Sequence, residues 1–174
     1  LNKLKCVKSL GVLGHSEGGI IAPKLASNFK KIDFVIMLAG PGVAVTELMA
    51  EQRKLLYEKE SKLSGNDINI INEMFAKIDS LVIHSKEIDN TIVLDIVNRE
   101  VNKMEDSASK SFSEKIKYGQ NILLHVNNPW YKSFISIKPN TYLSQVKCPV
   151  IAFGGSEDIQ VSSKQNLGVI KNIL

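Results

Sequence analysis

Cysteine and histidine are scarce in this 174-residue sequence, and neither is arranged as a metal or redox motif. Cys6 and Cys148 lie far apart and form no CxxC pair, which gives no support to a redox-active dithiol or a cysteine-rich metal site. The three histidines also lack the short spacing that is typical of metal ligands. The sequence therefore indicates no metal ion and no other cofactor.

Long apolar runs and blocks of like charge are also missing. No run approaches the roughly 20 residues of a membrane-spanning helix, and no secretory signal is present. The net charge is +4, but the lysines are scattered and form no dense basic stripe of the kind that binds nucleic acid. We therefore expect a soluble domain with neither a membrane span nor a nucleic-acid partner. The compartment and the oligomeric state stay open.

The most informative stretch is a Gly-X-Ser-X-Gly motif at residues 14–18, between an apolar run (10–13) and a helix-like segment (20–29). This order of strand, sharp turn and helix places Ser16 at the apex of the turn. Such a turn strains the serine backbone and brings the residues two before and two after it close together. Gly14 and Gly18 are therefore predicted to be the residues that avoid a Cβ clash.

The position of Ser16 in this turn predicts a nucleophile. Its hydroxyl would project from the sheet edge beside the helix N-terminus, where backbone N–H groups are unpaired. The backbone N–H of Glu17 would then stabilise the oxyanion that forms when Ser16 attacks a carbonyl. The alternative is a structural or phosphate-binding turn, but the strand and helix on either side favour the nucleophile.

Further apolar runs predict the rest of the core. Residues 33–39 and 150–153 are typical of parallel strands buried on both faces. The helix between the first two strands carries Ile21, Leu25 and Phe29 at four-residue spacing, with Ala22 and Ala26 between them, which predicts a small, apolar face that packs on the sheet. The predicted fold class is therefore α/β, with parallel strands flanked by helices. Together with the strand-to-helix turn at Ser16, it predicts a partial α/β-hydrolase fold with a helical lid insertion.

Helical periodicity dominates the middle of the chain and predicts an insertion. We place a hydrolase core with the serine turn at residues 1–44, a helical insertion at 45–138, and a second core segment with an acidic loop at 139–174. The insertion is interpreted as a lid over the strand ends, because insertions at that edge shape α/β sites. The alternative is that these helices only cover a sheet face.

The acidic loop after the last predicted strand supplies a candidate for the carboxylate of a catalytic triad. Asp158 lies four residues beyond Gly154, and Glu157 is its competitor. In an α/β hydrolase, a carboxylate in this position fixes the histidine tautomer and stabilises the imidazolium. The order, serine before aspartate, is the one that this chemistry requires, and it favours Asp158.

Several segments together resemble bacterial serine hydrolases of the α/β-hydrolase superfamily, in the acyl esterase and serine aminopeptidase-like branch with a helical lid. The segments are residues 14–19 (GHSEGG), 21–23 (IAP), 39–42 (AGPG), 129–130 (PW), 147–150 (KCPV) and 158–161 (DIQV). The resemblance implies a carboxylic-ester hydrolase that works through an acyl-enzyme on a small-molecule acyl ester. It implies roles for Ser16 as nucleophile, Asp158 as triad acid and the Glu17 amide as half of the oxyanion hole.

The chain departs from that pattern in its histidines. The family's histidine follows the acid, whereas the last histidine here is His125. His84 and His125 fall in the helical insertion and are interpreted as surface or lid residues, and the turn should direct His15 away from Ser16. Because the chain also lacks an initial Met, we expect it to be a piece of a longer protein, with the triad histidine beyond Leu174. We expect this piece alone to be nearly inactive, because the serine would lack its general base.

Four other functions are compatible with these features. A serine peptidase or a thioesterase of the same fold would use the same acyl chemistry. The acyl and leaving-group pockets that distinguish these enzymes from an esterase cannot be identified from the sequence. Transfer of the acyl group to an acceptor other than water is also compatible. The alternative from another class is a non-catalytic, hydrolase-like binding module in which Ser16 is vestigial.

Overall fold

The structure, a computed structural model, describes residues 6–61, 63–104 and 112–174. Within these residues there are three strands and eight helices, six of which lie between the second and third strands. In chain order they are β1 (Gly11–His15), α1 (Gly18–Asn28), β2 (Phe34–Leu38), α2 (Val45–Glu60), α3 (Gly65–His84), α4 (Asn90–Val101), α5 (Phe112–Val126), α6 (Pro129–Ile135), α7 (Asn140–Leu143), β3 (Val150–Phe153) and α8 (Ser163–Ile173).

The three strands form one parallel sheet in the order β1-β2-β3. The register aligns their carboxyl ends, since His15 pairs with Leu38 and Leu38 pairs with Phe153. The loops that leave the three strands therefore emerge along one edge, where α/β proteins place their sites. The predicted α/β class with a small parallel sheet and flanking helices is confirmed.

One face of the sheet carries the core of this part of the chain. Alternate residues of a strand point to opposite faces, and on the covered face Val35 and Met37 of β2 are almost completely buried. They pack in one cluster with Ala22 of α1, Leu143 of α7 and Ile170 of α8. The helices α1, α7 and α8 thus hold the strands that carry the loops at the carboxyl edge.

The opposite face of the sheet differs from the sequence prediction. Phe34 of β2 is 38% exposed, and Ile151 and Phe153 of β3 are 50% and 53% exposed, so the prediction that these two strands are buried on both faces is wrong. Leu13 of β1 is 60% exposed on the same face. Leu13 and Ile151 both align with Ile36 across β2. The exposed apolar side chains therefore form a continuous patch.

Helix α1 also packs differently from the prediction. Ile21, Leu25 and Phe29, expected to face the sheet, are exposed, whereas Gly19, Ile20, Ala22 and Pro23 are the buried residues. Of the predicted face, Ala22 is confirmed as part of the core cluster, and Ala26 packs against that cluster.

The described chain divides into two compact units. The first comprises Leu1–Leu48 and Lys138–Leu174, with the whole sheet, and the second is the helical segment Met49–Ile137. Residues 1–5 of the first unit, and residues 62 and 105–111 of the second, lie outside the described residues. The interpretation of the helical segment as a lid stays a prediction.

The helical unit contains a buried carboxylate, Glu100 of α4, which is 1% exposed. Its two oxygens accept from Lys77 Nζ and Lys103 Nζ, each at 2.6 Å. The hydrogen bonds from Lys103 and Lys77 hold the pKa of Glu100 below its usual value of 4.5. The negative charge of Glu100 therefore contributes to the stability of this unit.

Candidate active site

Ser16 follows β1 directly and occupies a sharp turn before α1. Its φ is 55°, a left-handed conformation that is uncommon for a residue other than glycine. The Ser16 N–H donates to the Leu38 carbonyl at 3.0 Å, and the Ser16 carbonyl accepts from the Gly19 N–H at 2.8 Å. The turn is thus tied to the neighbouring strand and to the helix, which fixes the strained residue.

The two glycines of the motif have different requirements. A Cβ on Gly14 would lie 1.8 Å from the Gly18 carbonyl oxygen, so no side chain fits at Gly14. A Cβ on Gly18 would meet nothing within 4 Å. The prediction that Gly18 avoids a Cβ clash is therefore wrong, because it is the backbone of Gly18 that closes on Gly14.

Gly19 is the second glycine that the packing of the turn requires. A Cβ on Gly19 would lie 2.4 Å from the Cα of Gly40, in the loop after β2. This contact of two glycine backbones brings the start of α1 against the end of β2. The sequence shows both glycines, but no local pattern signals that they meet.

Ala39, the first residue after β2, is a further strained residue at this edge. Its φ is 46°, and its N–H donates to the Phe153 carbonyl at 2.7 Å. Ala39 was named only as part of the segment 39–42, and its strained backbone was not predicted. The Gly40-Pro41-Gly42 sequence that follows it is a local signal of an abrupt change of direction.

The loop after β3 holds the Asp158 side chain in place. Asp158 Oδ1 accepts from the Gln160 N–H at 2.9 Å and from the Val161 N–H at 3.0 Å. The Asp158 N–H donates to the Gly155 carbonyl at 3.3 Å. Among the described residues no partner of Oδ2 is found, which leaves this oxygen to accept from another group. The competitor Glu157 is exposed and makes none of these loop contacts.

A depression of about 370 Å³ at this edge brings the serine turn and the acidic loop together. Its lining consists of His15, Ser16, Ala39, Glu157, Asp158, Ile159, Gln160 and Val161. All of these residues belong to the unit that contains the sheet. The contribution of His15 was not foreseen, since the turn was expected to direct this side chain away from Ser16.

Glu17 occupies the position that the sequence analysis assigned to the oxyanion donor. Its φ and ψ are −54° and −36°, which are helical values, and it is the residue that caps the N-terminus of α1. Its carbonyl accepts from the Ile20 N–H at 2.9 Å and from the Ile21 N–H at 3.2 Å, the second of which is the i+4 bond of an α-helix. The role of its N–H in an oxyanion hole stays a prediction.

The other two histidines belong to the helical unit. His84 lies at the exposed end of α3, with Nδ1 2.8 Å from the Ser80 carbonyl oxygen. His125 of α5 lies with its ring centroid 4.2 Å from that of Tyr131. Partial desolvation lowers the pKa of His125, and the nearby Asp79 carboxylate opposes this effect. No histidine follows Asp158 in the sequence.

The parallel sheet, the strained serine between strand and helix, and the carboxylate at the same edge define an α/β-hydrolase-like domain. Residues 1–167 match the family model described as "BAAT / Acyl-CoA thioester hydrolase C terminal". The chain therefore belongs to this family, which indicates hydrolase-type activity. The narrower resemblance to the serine acyl esterase branch stays a prediction.

No curated protein matches the chain. Across the described ranges, no helix combines the length and the apolar character that crossing a membrane requires.

Proposed function

We propose that the protein is a serine hydrolase that cleaves carboxylic esters through an acyl-enzyme intermediate. The observation that carries this proposal is the position of Ser16, in a left-handed turn between β1 and α1, in the same depression as Asp158. This position, on a sharp turn at the carboxyl edge of a parallel sheet, is the one in which α/β hydrolases hold their nucleophile, and it supports the proposal.

The reaction would proceed in two acyl-transfer steps. The Ser16 Oγ attacks the acyl carbonyl carbon as its proton passes to a general base, and the resulting oxyanion is stabilised by the Glu17 N–H. Collapse of this intermediate breaks the ester bond and releases the alcohol, which takes the proton from the base. Water then attacks the acyl-enzyme, releases the carboxylic acid and restores the Ser16 hydroxyl.

Asp158 would orient the general base. Its Oδ1 is fixed by two backbone N–H groups, and Oδ2 would accept from the imidazole N–H of the base. The carboxylate would hold one histidine tautomer and stabilise the imidazolium that forms in each step. This role needs a carboxylate that points in a fixed direction, and the hydrogen bonds from the Gln160 and Val161 N–H groups hold the Asp158 side chain in place.

A thioester is the second candidate substrate, because the description of the matching family names acyl-CoA thioester hydrolysis. The same Ser16 chemistry applies, with a thiol in place of the alcohol as leaving group. The residues that line the depression do not separate the two substrates.

The proposal is tested with the natural protein, expressed together with any sequence that flanks residues 1–174. A fluorophosphonate probe should add one label per molecule, as measured by intact mass, and Ser16→Ala should abolish the labelling. A panel of esters, thioesters and aminoacyl amides would then identify the substrate class. If the folded wild-type protein is not labelled, the binding-module alternative replaces the hydrolase.

A further inference from the structure

Asn166 lies in the first turns of α8, where it is 1% exposed and has no place in the lining of the depression. A buried carboxamide is costly unless both of its ends form hydrogen bonds. The contacts of Asn166 therefore indicate what keeps this polar group in the interior.

The two ends of the Asn166 amide bind two different loops. Asn166 Oδ1 accepts from the Gly42 N–H at 2.8 Å and from the Val43 N–H at 3.4 Å, both in the loop after β2. Asn166 Nδ2 donates to the Ser162 carbonyl at 2.9 Å, at the end of the loop after β3. One side chain thus connects the loop that contains Ala39 with the loop that contains Asp158.

Only one residue, Val161, lies between Ser162 and the hydrogen bond to the Asp158 carboxylate. Ser162 directly follows Val161, whose N–H donates to Asp158 Oδ1 at 3.0 Å. The Ser162 carbonyl also accepts from the Gln165 and Asn166 backbone N–H groups, at 3.2 and 3.1 Å. The Asn166 side chain adds a third hydrogen bond to Ser162, the residue that follows Val161, and among the described residues it alone joins Ser162 to the Gly42 N–H.

Packing reinforces the same connection. Val161 is 6% exposed and shares a cluster with Val43 and Leu48, so the loops after β2 and β3 also meet through apolar contacts. A Cβ on Gly42 would lie 2.7 Å from Ile170 Cγ1, because this loop runs directly against α8. Neither loop can shift freely while α8 stays in place.

We propose that Asn166 is a positioning residue that sets the direction of the Asp158 carboxylate at the active site. It acts through Ser162 and Val161 and does not touch the substrate. This inference rests on the proposed function of Ser16 and Asp158. An amide suits the position, because it offers an acceptor to Gly42 and a donor to Ser162 without placing a charge in the interior.

The test compares Asn166→Ala with Ile173→Ala in the natural protein, with any sequence that flanks this chain. Ile173 is on the same helix and packs against the core cluster, so its variant controls for general loss of stability. With an ester substrate, Asn166→Ala should lower kcat about 10- to 100-fold and change KM less than about threefold. Ile173→Ala should change neither by more than about threefold.

The decisive arm repeats Asn166→Ala in the Asp158→Asn background. If Asn166 acts through the Asp158 carboxylate, its effect on kcat should fall to less than about threefold there. An undiminished effect, or an effect no larger than that of Ile173→Ala, would overturn the proposal. If Asn166→Ala does not fold, Asn166→Ser, which retains a shorter polar group, takes its place.

A second readout separates this inference from the proposed function. In Asn166→Ala, amide hydrogen exchange should become faster at Gly42 and also at Gln160 and Val161, whose N–H groups bind Asp158. If the wild-type protein shows no serine labelling, the proposed function fails. The exchange measurement does not depend on activity, so it still tests whether Asn166 holds the loop around Asp158. Unchanged exchange at Gln160 and Val161 would reject that role.

Discussion

Ser16 and Ala39 are neighbours at the carboxyl edge of the sheet, and both have a left-handed backbone, with φ values of 55° and 46°. His15 pairs with Leu38, so each of the two is the first residue past a paired strand end. Each still donates its N–H to the next strand, Ser16 to Leu38 and Ala39 to Phe153. The chain therefore turns abruptly at two adjacent positions without losing the hydrogen bonds of the sheet.

The backbone at Ala39 gives a prediction for stability. Ala39→Gly should leave the free energy of unfolding unchanged or raise it by up to about 1 kcal/mol, because glycine adopts a positive φ without strain. Ala39→Val should lower it by about 1–3 kcal/mol, since a β-branched residue is strongly disfavoured there. Urea unfolding followed by circular dichroism measures both. Equal effects of the two changes would contradict the argument.

The glycines of the serine turn give a second prediction. Gly14→Ala should lower the free energy of unfolding by about 3 kcal/mol or more, because its Cβ would overlap the Gly18 carbonyl. Gly18→Ala should be neutral or stabilising by up to about 1 kcal/mol, since the position is open and alanine favours a helix. Thermal unfolding of the two single variants provides the measurement. A loss at Gly18 as large as that at Gly14 would mean that the turn packs differently.

Asp158→Asn separates the structural and chemical roles of this side chain. The amide oxygen can still accept from the Gln160 and Val161 N–H groups, so the free energy of unfolding should change by less than about 1 kcal/mol. Ester turnover by the natural protein should fall about 10³- to 10⁴-fold, because the base loses its orienting carboxylate. Glu157→Gln is the matched control and should retain activity within about threefold. Comparable losses in the two variants would argue against Asp158 as the triad acid.

Glu100 gives a prediction about pH. The pKa of Glu100 is lower in the folded protein than its usual 4.5 because Lys103 and Lys77 bind the ionised form. Its stabilising contribution is therefore present above pH 4.5 and is lost as the pH falls through the folded-state pKa. Glu100→Gln should lower the free energy of unfolding by about 1–2 kcal/mol at pH 7. The loss is kept small because the two lysines are half exposed and solvent screens their attraction to Glu100.

The pH series itself provides the control for Glu100. The difference between wild type and Glu100→Gln should shrink as the pH is lowered below 4.5. Glu87→Gln, at an exposed glutamate, should behave like wild type at each pH. Urea titrations at pH 7 and at several acidic pH values provide the comparison. A constant difference would show that the charge of Glu100 is not its source.

Sequence alone determined the elements whose signals are local. The apolar runs of the three strands, the helical periodicity of residues 45–126 and the Gly-X-Ser-X-Gly turn each lie within a short window, so they predicted the α/β class and the strained position of Ser16. The order of serine before aspartate likewise indicated Asp158. The helix after the acidic loop, α8, was not predicted.

Only the tertiary structure decided which residues meet. Period and composition did not fix which side of α1 faces the sheet: Ala22 of the predicted face is buried, but Ile21 and Phe29 are exposed and Ile20 is buried. The link from Asn166 to Gly42 joins residues 124 positions apart, and no local pattern encodes such a contact. A sequence states local propensities, but close packing and hydrogen bonds between distant segments decide which side chains surround a site.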